Sequence, residues 1–255
     1  MRLEVIGAGL GSAEHVEALL QQPAFRKATR NMALAFAAAE AALSAVDRQS
    51  LQARAAESAL VLGTCFGELD TTREFLDGFY EQKLARPVLF QSSLHNATTG
   101  FIAIQLKLTG PSFTLTRGAG SGLAALELAA TLCSSGMCQT CLVLSVEAHI
   151  TGLEPLLQSR QRSAADDGAA ALLIGVEGAA RGYGVVPRAY LDPVDALLHG
   201  SISDAEVDAT AQLAAPLAGC PVTQLASGIL QTSSTDGAAI RLHGDPDRVL
   251  QWSRA

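Results

Sequence analysis

Short apolar runs recur along the chain and alternate with alanine-rich stretches of helical spacing. The runs over Ser58–Gly63, residues 139–147 and residues 169–176 place apolar residues at consecutive positions instead of alternate ones. A strand of that kind has to be covered on both faces, which points to helices packed on either side of a sheet. Residues 26–46 supply one such helix, with apolar side chains three and four apart and no internal glycine or proline. Residues 97–108 supply another, stopped by Thr109-Gly110-Pro111, and residues 123–135 a third. The alternation predicts an α/β fold.

The remaining segments are read in the same way. Residues 2–7 predict a strand running into a glycine turn, residues 69–83 a helix, and residues 87–93 a loop or short extended piece. Residues 182–189 predict a further strand, and residues 203–218 a helix with Ser203 as N-cap and Gly219 as stop. No linker and no internal repeat divides the chain, so residues 1–190 read as one folded unit and residues 191–255 as a reduced part of it or a small appendage. The motif Gly7-Ala-Gly9-Leu-Gly11 resembles the start of a dinucleotide fingerprint. Position 12 is serine, however, and no acidic residue closes a second strand about 20 residues on, so it reads as a tight strand–helix turn.

Composition excludes several classes of function. An apolar content of 49% with 17% charged residues leaves ample material for a core, which argues against disorder. A net charge of −7 without a basic cluster argues against nucleic-acid binding. The apolar stretches are too short to span a bilayer, and Glu4 interrupts what a signal peptide would need, so a cytoplasmic location is expected. Five cysteines in 255 residues do not make a disulfide framework. Cys138-Gln-Thr-Cys141 lacks a second ligand pair for a metal and opens a strand instead of a helix, so these read as buried structural thiols. His15, His95, His149, His199 and His243 are scattered, and no metal or cofactor is expected.

The stretch with chemical content is residues 90–130. A β-prone run, residues 112–117, enters Gly118-Ala119-Gly120-Ser121-Gly122 and then a helix. That geometry lifts the turn residue to a helix N-terminus, where free N–H groups and the helix dipole favour negative charge. A nucleophile is well served there, since a thiolate would be stabilised and an oxyanion hole lies to hand. Yet the apex is Ala119, and Ser121 does not fit G-x-S-x-G because neither 119 nor 123 is glycine.

At these residues the chain resembles the β-ketoacyl synthases of the thiolase-like superfamily. The family writes this turn GPS-x-T-x-S-T-A-C-A-S-G, with the cysteine accepting the acyl group. Here it reads Gly110-Pro-Ser-Phe-Thr-Leu-Thr-Arg-Gly-Ala119-Gly-Ser-Gly122. Further motifs follow in family order: Val5-Ile-Gly-Ala-Gly9, Arg26-Lys27 before the alanine-rich helix, Leu62-Gly-Thr-Cys-Phe-Gly67, Ser93-Leu-His-Asn96-Ala with Gly100, and Gly168-Ala-Ala-Ala-Leu172. Ser-x-His-Asn-Ala resembles the short, N-terminal type 2 branch. The resemblance covers residues 2–177 and implies a thiolase-like fold, with layered helices around a mixed β-sheet and a truncated second half.

It also implies what is missing. Active members use two histidines and a lysine for decarboxylation and condensation. His199-Gly-Ser201 resembles the first histidine motif, while the lysine and second-histidine positions fall on Ala226 and Gln231. With Ala119 at the nucleophile position, the chain resembles a non-catalytic chain-length factor that pairs with an active β-ketoacyl-acyl carrier protein synthase. Polyketide, aryl-polyene or specialised fatty-acid assembly are the implied pathways. The family pairs through the strand before the nucleophile, which makes Ser112, Phe113, Thr114, Leu115 and Thr116 the expected interface. Leu94, His95, Phe101, Gln105 and Arg117 are the expected tunnel-lining residues. The expected partners are a synthase subunit and, through it, the acyl carrier protein; self-pairing in the synthase's absence stays open. Two alternatives stand beside this: a β-ketoacyl-acyl carrier protein synthase or decarboxylase inactivated by a cysteine-to-alanine change at 119, and an acyl-binding module.

Overall fold

The computed structural model describes residues 2–118, 120–152 and 167–191, and the backbone of 192, 238–241 and 249–254. Ala119, His199, Ala226, Gln231 and the helix expected over residues 203–218 lie outside the described residues.

Among the described residues eight strands form one sheet: β1 (Leu3–Gly11), β2 (Ser58–Gly63), β3 (Ser112–Leu115), β4 (Thr140–Glu147), β5 (Gly168–Val176), β6 (Ala189–Asp192), β7 (Ala238–Arg241) and β8 (Val249–Arg254). Their spatial order is β3-β2-β4-β5-β1-β6-β8-β7. β2 runs parallel to β3 and β4, while the β4–β5, β5–β1 and β1–β6 pairings are antiparallel, so the sheet is mixed.

Both faces are covered. On one lies α7 (Ser121–Ser134), which packs Leu123, Leu126 and Ala129 onto Val61, Val143 and Leu172. On the other lie α2 (Arg30–Ala42) and α6 (Ala97–Leu106), against Leu60, Leu62, Leu142, Leu144 and Leu173. Every residue of β2 and of β4 is buried, which is why their sequences are apolar without alternation. The same side carries α1 (Ala13–Leu20), whose Val16 is buried, and α3 (Arg48–Ala53), whose Leu51 is buried.

β1 corrects the glycine-turn reading. The strand continues to Gly11, and Gly7, Gly9 and Gly11 all face α2. A Cβ on Gly7 would sit 1.9 Å from the Ala42 carbonyl oxygen, and one on Gly9 would sit 2.3 Å from the Ala42 nitrogen. The glycines are there for close approach of helix to strand, not for a turn. A bulge falls between Val5 and Gly7 in the pairing with β5, leaving Ile6 as the extra residue.

Three other expectations are corrected. The helix of residues 26–46 begins only at Arg30, because Thr29 caps it: the Met32 N–H donates to Thr29 Oγ1 at 3.1 Å. It also stops at Ala42, with α3 starting afresh behind the Asp47 cap. Residues 87–92 form a short helix, α5 (Pro87–Ser92), with the proline in its first turn, where the missing N–H is harmless. Residues 182–189 are not a strand. A single helical turn (Ala179–Gly182) ends there and β6 starts only at Ala189; the turn is held by buried Glu4, whose carboxylate accepts from the Gly178 and Ala180 N–H groups at 2.9 and 2.8 Å. No helix among the described residues is long and apolar enough to cross a membrane.

Candidate functional site

The elbow between β3 and α7 forms as its glycines suggest. Gly118 has φ +56°, a conformation that favours glycine. Ser121 closes the turn: its Oγ accepts from the Arg117 N–H at 2.8 Å and donates to the Gly118 carbonyl at 2.6 Å. The elbow packs tightly on β2, since a Cβ on Gly63 would lie 2.3 Å from the Ser121 carbonyl oxygen. The end of β2 and the start of α7 thus meet.

Next to the elbow the loop after β2 is pinned by Glu147, the last residue of β4. Its carboxylate accepts from the Thr64 hydroxyl at 3.0 Å, from the Phe66 N–H at 3.2 Å, and from the Cys65 N–H. Glu147 is 3% exposed. Burial pushes its carboxyl up to about 7, against the three donors that favour the anion. Cys65 lies on this loop, but burial and then the neighbouring Glu147 charge push its thiol up to about 12, so it is no activated substitute for a nucleophile.

A second buried network joins the helices of the same end. Glu68 precedes α4 (Leu69–Gln82); it accepts from the Thr29 hydroxyl at 2.9 Å and from the Thr98 hydroxyl of α6. Burial raises its carboxyl above the ordinary carboxylate range. Asn31 donates to Thr98 Oγ1 at 3.3 Å, and Thr99 of α6 shares a hydroxyl hydrogen bond with Thr114 of β3. Neither carboxylate was singled out from sequence. Glu147 had a readable signal, a charge at the end of an apolar strand; Glu68 had none, since its partners lie 30 and 39 positions away.

Among the described residues the expected interface strand β3 is the edge of the sheet, paired with β2 alone. Ser112 and Phe113 are exposed, Thr114 and Leu115 half-buried, and Thr116 exposed. Of the expected tunnel residues, Leu94 and His95 are exposed ahead of α6, and the His95 ring lies over Gly67, where a Cβ would meet Nδ1 at 2.4 Å. Phe101 is half-buried with its ring edge toward Phe25 at 5.5 Å, and Gln105 is half-buried. Arg117 is exposed and makes no ion pair among the described residues. Ile104 of α6, the helix beside the edge strand, is 75% exposed, and Phe90, Val88, Phe79, Tyr80 and Leu76 of α5 and α4 are exposed as well. In α4 only Gly78 is buried, and in α5 no residue is.

No group of histidine, cysteine and acidic residues among the described residues has the arrangement of a metal site. The geometry offers a strand–helix elbow packed on β2, next to a loop pinned by a buried carboxyl whose proton affinity is raised.

Comparison with known proteins agrees with the fold. The chain is similar to the ishigamide ketosynthase/chain length factor, with 20% identity and TM-score 0.61, over 75% of this chain and 66% of that one. It thus spans slightly under two thirds of that relative. It is also similar to the ketosynthase ApeO in complex with its chain length factor ApeC from Xenorhabdus doucetiae (18% identity, TM-score 0.62, 100% of both chains). A third likeness is to AntDE:AntF, a type II polyketide synthase acyl-carrier protein in complex with its ketosynthase (16% identity, TM-score 0.74, 100% of this chain and 99% of that one). A search of curated proteins found no sequence match. The family model for the beta-ketoacyl synthase N-terminal domain matches residues 5–185, and the chain belongs to that family.

Proposed function

We propose that the chain is a non-catalytic, chain-length-factor-like subunit that pairs with an active β-ketoacyl-acyl carrier protein synthase. The observation that carries this reading is the edge of β3, which among the described residues pairs with β2 alone, with exposed Phe113 on it and exposed Ile104 on the adjoining α6. An unpaired strand edge displays backbone donors and acceptors ready for a partner strand, and soluble chains rarely leave one bare beside apolar surface. Alanine at the nucleophile position supports the non-catalytic half: without a thiol there is no acyl-enzyme to form. Cys65 does not replace it, because its raised thiol is a poor source of thiolate.

In this reading the partner's matching strand adds to β3 across a two-fold axis and extends one sheet through both subunits. Ser112, Phe113, Thr114, Leu115 and Thr116 form the seam. Leu94, His95 and the exposed face of α6 shape the end of the partner's acyl tunnel, with Phe101 and Gln105 behind them and Arg117 at the elbow. Residues 191–255 complete the same fold in reduced form. The acidic acyl carrier protein docks on the synthase subunit, since this chain carries −7 itself. Relatives of similar fold described as ketosynthase/chain length factor pairs support a type II polyketide-like pathway, with aryl-polyene and specialised fatty-acid assembly as the finer candidates.

The test is co-expression with the synthase encoded beside it. The pair is expected to co-purify in a one-to-one ratio and to elongate malonyl units, whereas the chain alone does neither. Elongation by the isolated chain, or failure to co-purify with any neighbouring synthase, would sink the proposal.

A further inference from the structure

The cysteine motif singled out in the sequence pairs differently in space. Cys138 makes its sulfur contact with Cys133, not with Cys141: the two Sγ atoms are 3.7 Å apart. Cys133 sits in the last turn of α7, and Cys138 lies two residues before β4. The connection between them is a tight helix end. Gly136 at φ +74° lets its N–H reach the Cys133 carbonyl at 3.1 Å, and the Met137 N–H reaches the Leu132 carbonyl at 3.0 Å. This turn holds both side chains against the same core cluster, each 2% exposed. The turn itself is open to solvent: Ser134, Ser135, Gly136 and Met137 are all exposed, so a small opening uncovers the sulfurs.

We infer that Cys133 and Cys138 are a reversible redox pair, which a peroxide-class oxidant closes to a disulfide joining the end of α7 to the start of β4. The sulfurs must move from 3.7 Å to a bonding distance of about 2.0 Å, within reach of a rotation in a connection this short. The two thiols are not equivalent. The hydrogen bond from Cys133 lowers Cys138 below the ordinary thiol range and raises Cys133, which assigns Cys138 the attacking role. Its thiolate attacks one peroxide oxygen, the O–O bond breaks, hydroxide leaves, and Cys138 becomes a sulfenic acid. The Cys133 sulfur then attacks that sulfenic sulfur; the S–O bond breaks, and the departing oxygen takes the Cys133 proton and leaves as water. In balance, two thiols lose two hydrogens and one peroxide becomes two waters. Cys141, wholly buried in β4 and raised by that burial, stays a thiol.

This assignment is independent of the pairing with a synthase. The test treats the folded chain with one equivalent of hydrogen peroxide, blocks remaining thiols with iodoacetamide, and reads intact mass and cross-linked peptides. The expected result is a loss of two hydrogen atoms, a fall in titratable thiols from five to three, and a peptide link between positions 133 and 138 that dithiothreitol reverses. Cys138→Ser abolishes the link, and Cys65→Ser leaves it intact. Should Cys138→Ser fail to fold, Cys133→Ala provides the same loss. Oxidation that falls first on Cys65, a link between Cys138 and Cys141, or a folded chain that keeps all its thiols would each overturn the inference.

Discussion

The centre of the sheet and its β3 edge are built on opposite terms. β1, β2, β4 and β5 are sealed on both faces, and Leu60, Leu142, Leu172 and Ile174 have at most 2% exposure. At the edge, four-residue β3 has one strand neighbour among the described residues, with Phe113 on it and Ile104 on the adjoining α6 exposed. The centre is complete as it stands. The edge exposes aromatic and aliphatic side chains that a self-sufficient surface would replace with polar ones. What separates them is where stability is expected to come from: internal packing in one region, a second chain in the other.

The sharpest way to break this comparison is Gly9→Val. Its branched side chain would drive into the α2 backbone at Ala38 and Ala42, neither of which can rotate away. A loss of about 3 kcal/mol or more in urea unfolding is expected, and a well-folded Gly9→Val chain would show that helix and strand are not in true contact. Leu60→Ala, in the wholly buried β2, is expected to cost about 3 kcal/mol.

Glu147 stands where the two regions meet, and it predicts a pH effect. Its folded value of about 7 lies above that of an unfolded glutamate, so the folded state holds the extra proton between about pH 4.5 and 7. Its contribution to stability is therefore full below the unfolded value and falls as pH rises toward 7. Glu147→Gln cannot ionise. Relative to the unsubstituted chain, its stability should improve between pH 5 and 8 by on the order of 2 kcal/mol. Parallel unfolding curves at both pH values check this, and a pH-independent difference would refute it.

The smallest expected effect is the most informative about the edge. Phe113→Asp, on β3, should change the stability of the isolated chain by less than about 0.5 kcal/mol, because the side chain is already 37% exposed. The same change should abolish co-purification with the synthase partner. A large loss of monomer stability with pairing intact would reverse the roles assigned to the two regions.

How far the sequence disclosed all this follows the same division. The central strands were legible because double-sided burial leaves its own mark, an unbroken apolar run such as Ser58–Gly63. The elbow was legible because Gly118 and Gly120 bracket a strand and a helix whose patterns are unambiguous. Gly7, Gly9 and Gly11 misled because sequence does not distinguish a glycine chosen for its freedom from one chosen for its size. Pro87 misled in the same manner: a residue that ends helices also begins them. The carboxylates were out of reach. Glu4 caps a helical turn more than 170 positions away, and Glu68 gathers hydroxyls from two other helices, so only the fold makes them neighbours.

The bulge at Ile6 has a consequence for assembly. Before it, Leu3 and Val5 turn toward the α7 face; after it, Ala8 takes that face while the glycines turn toward α2. Flatten the bulge while keeping every residue, and the strand becomes perfectly regular, yet wrong. Ala8 and Leu10 would then point into the helix backbone, and the glycines would leave a gap on the far side. A chain that mispairs β1 by one step meets that collision at once, so the irregularity works as a key that admits a single register.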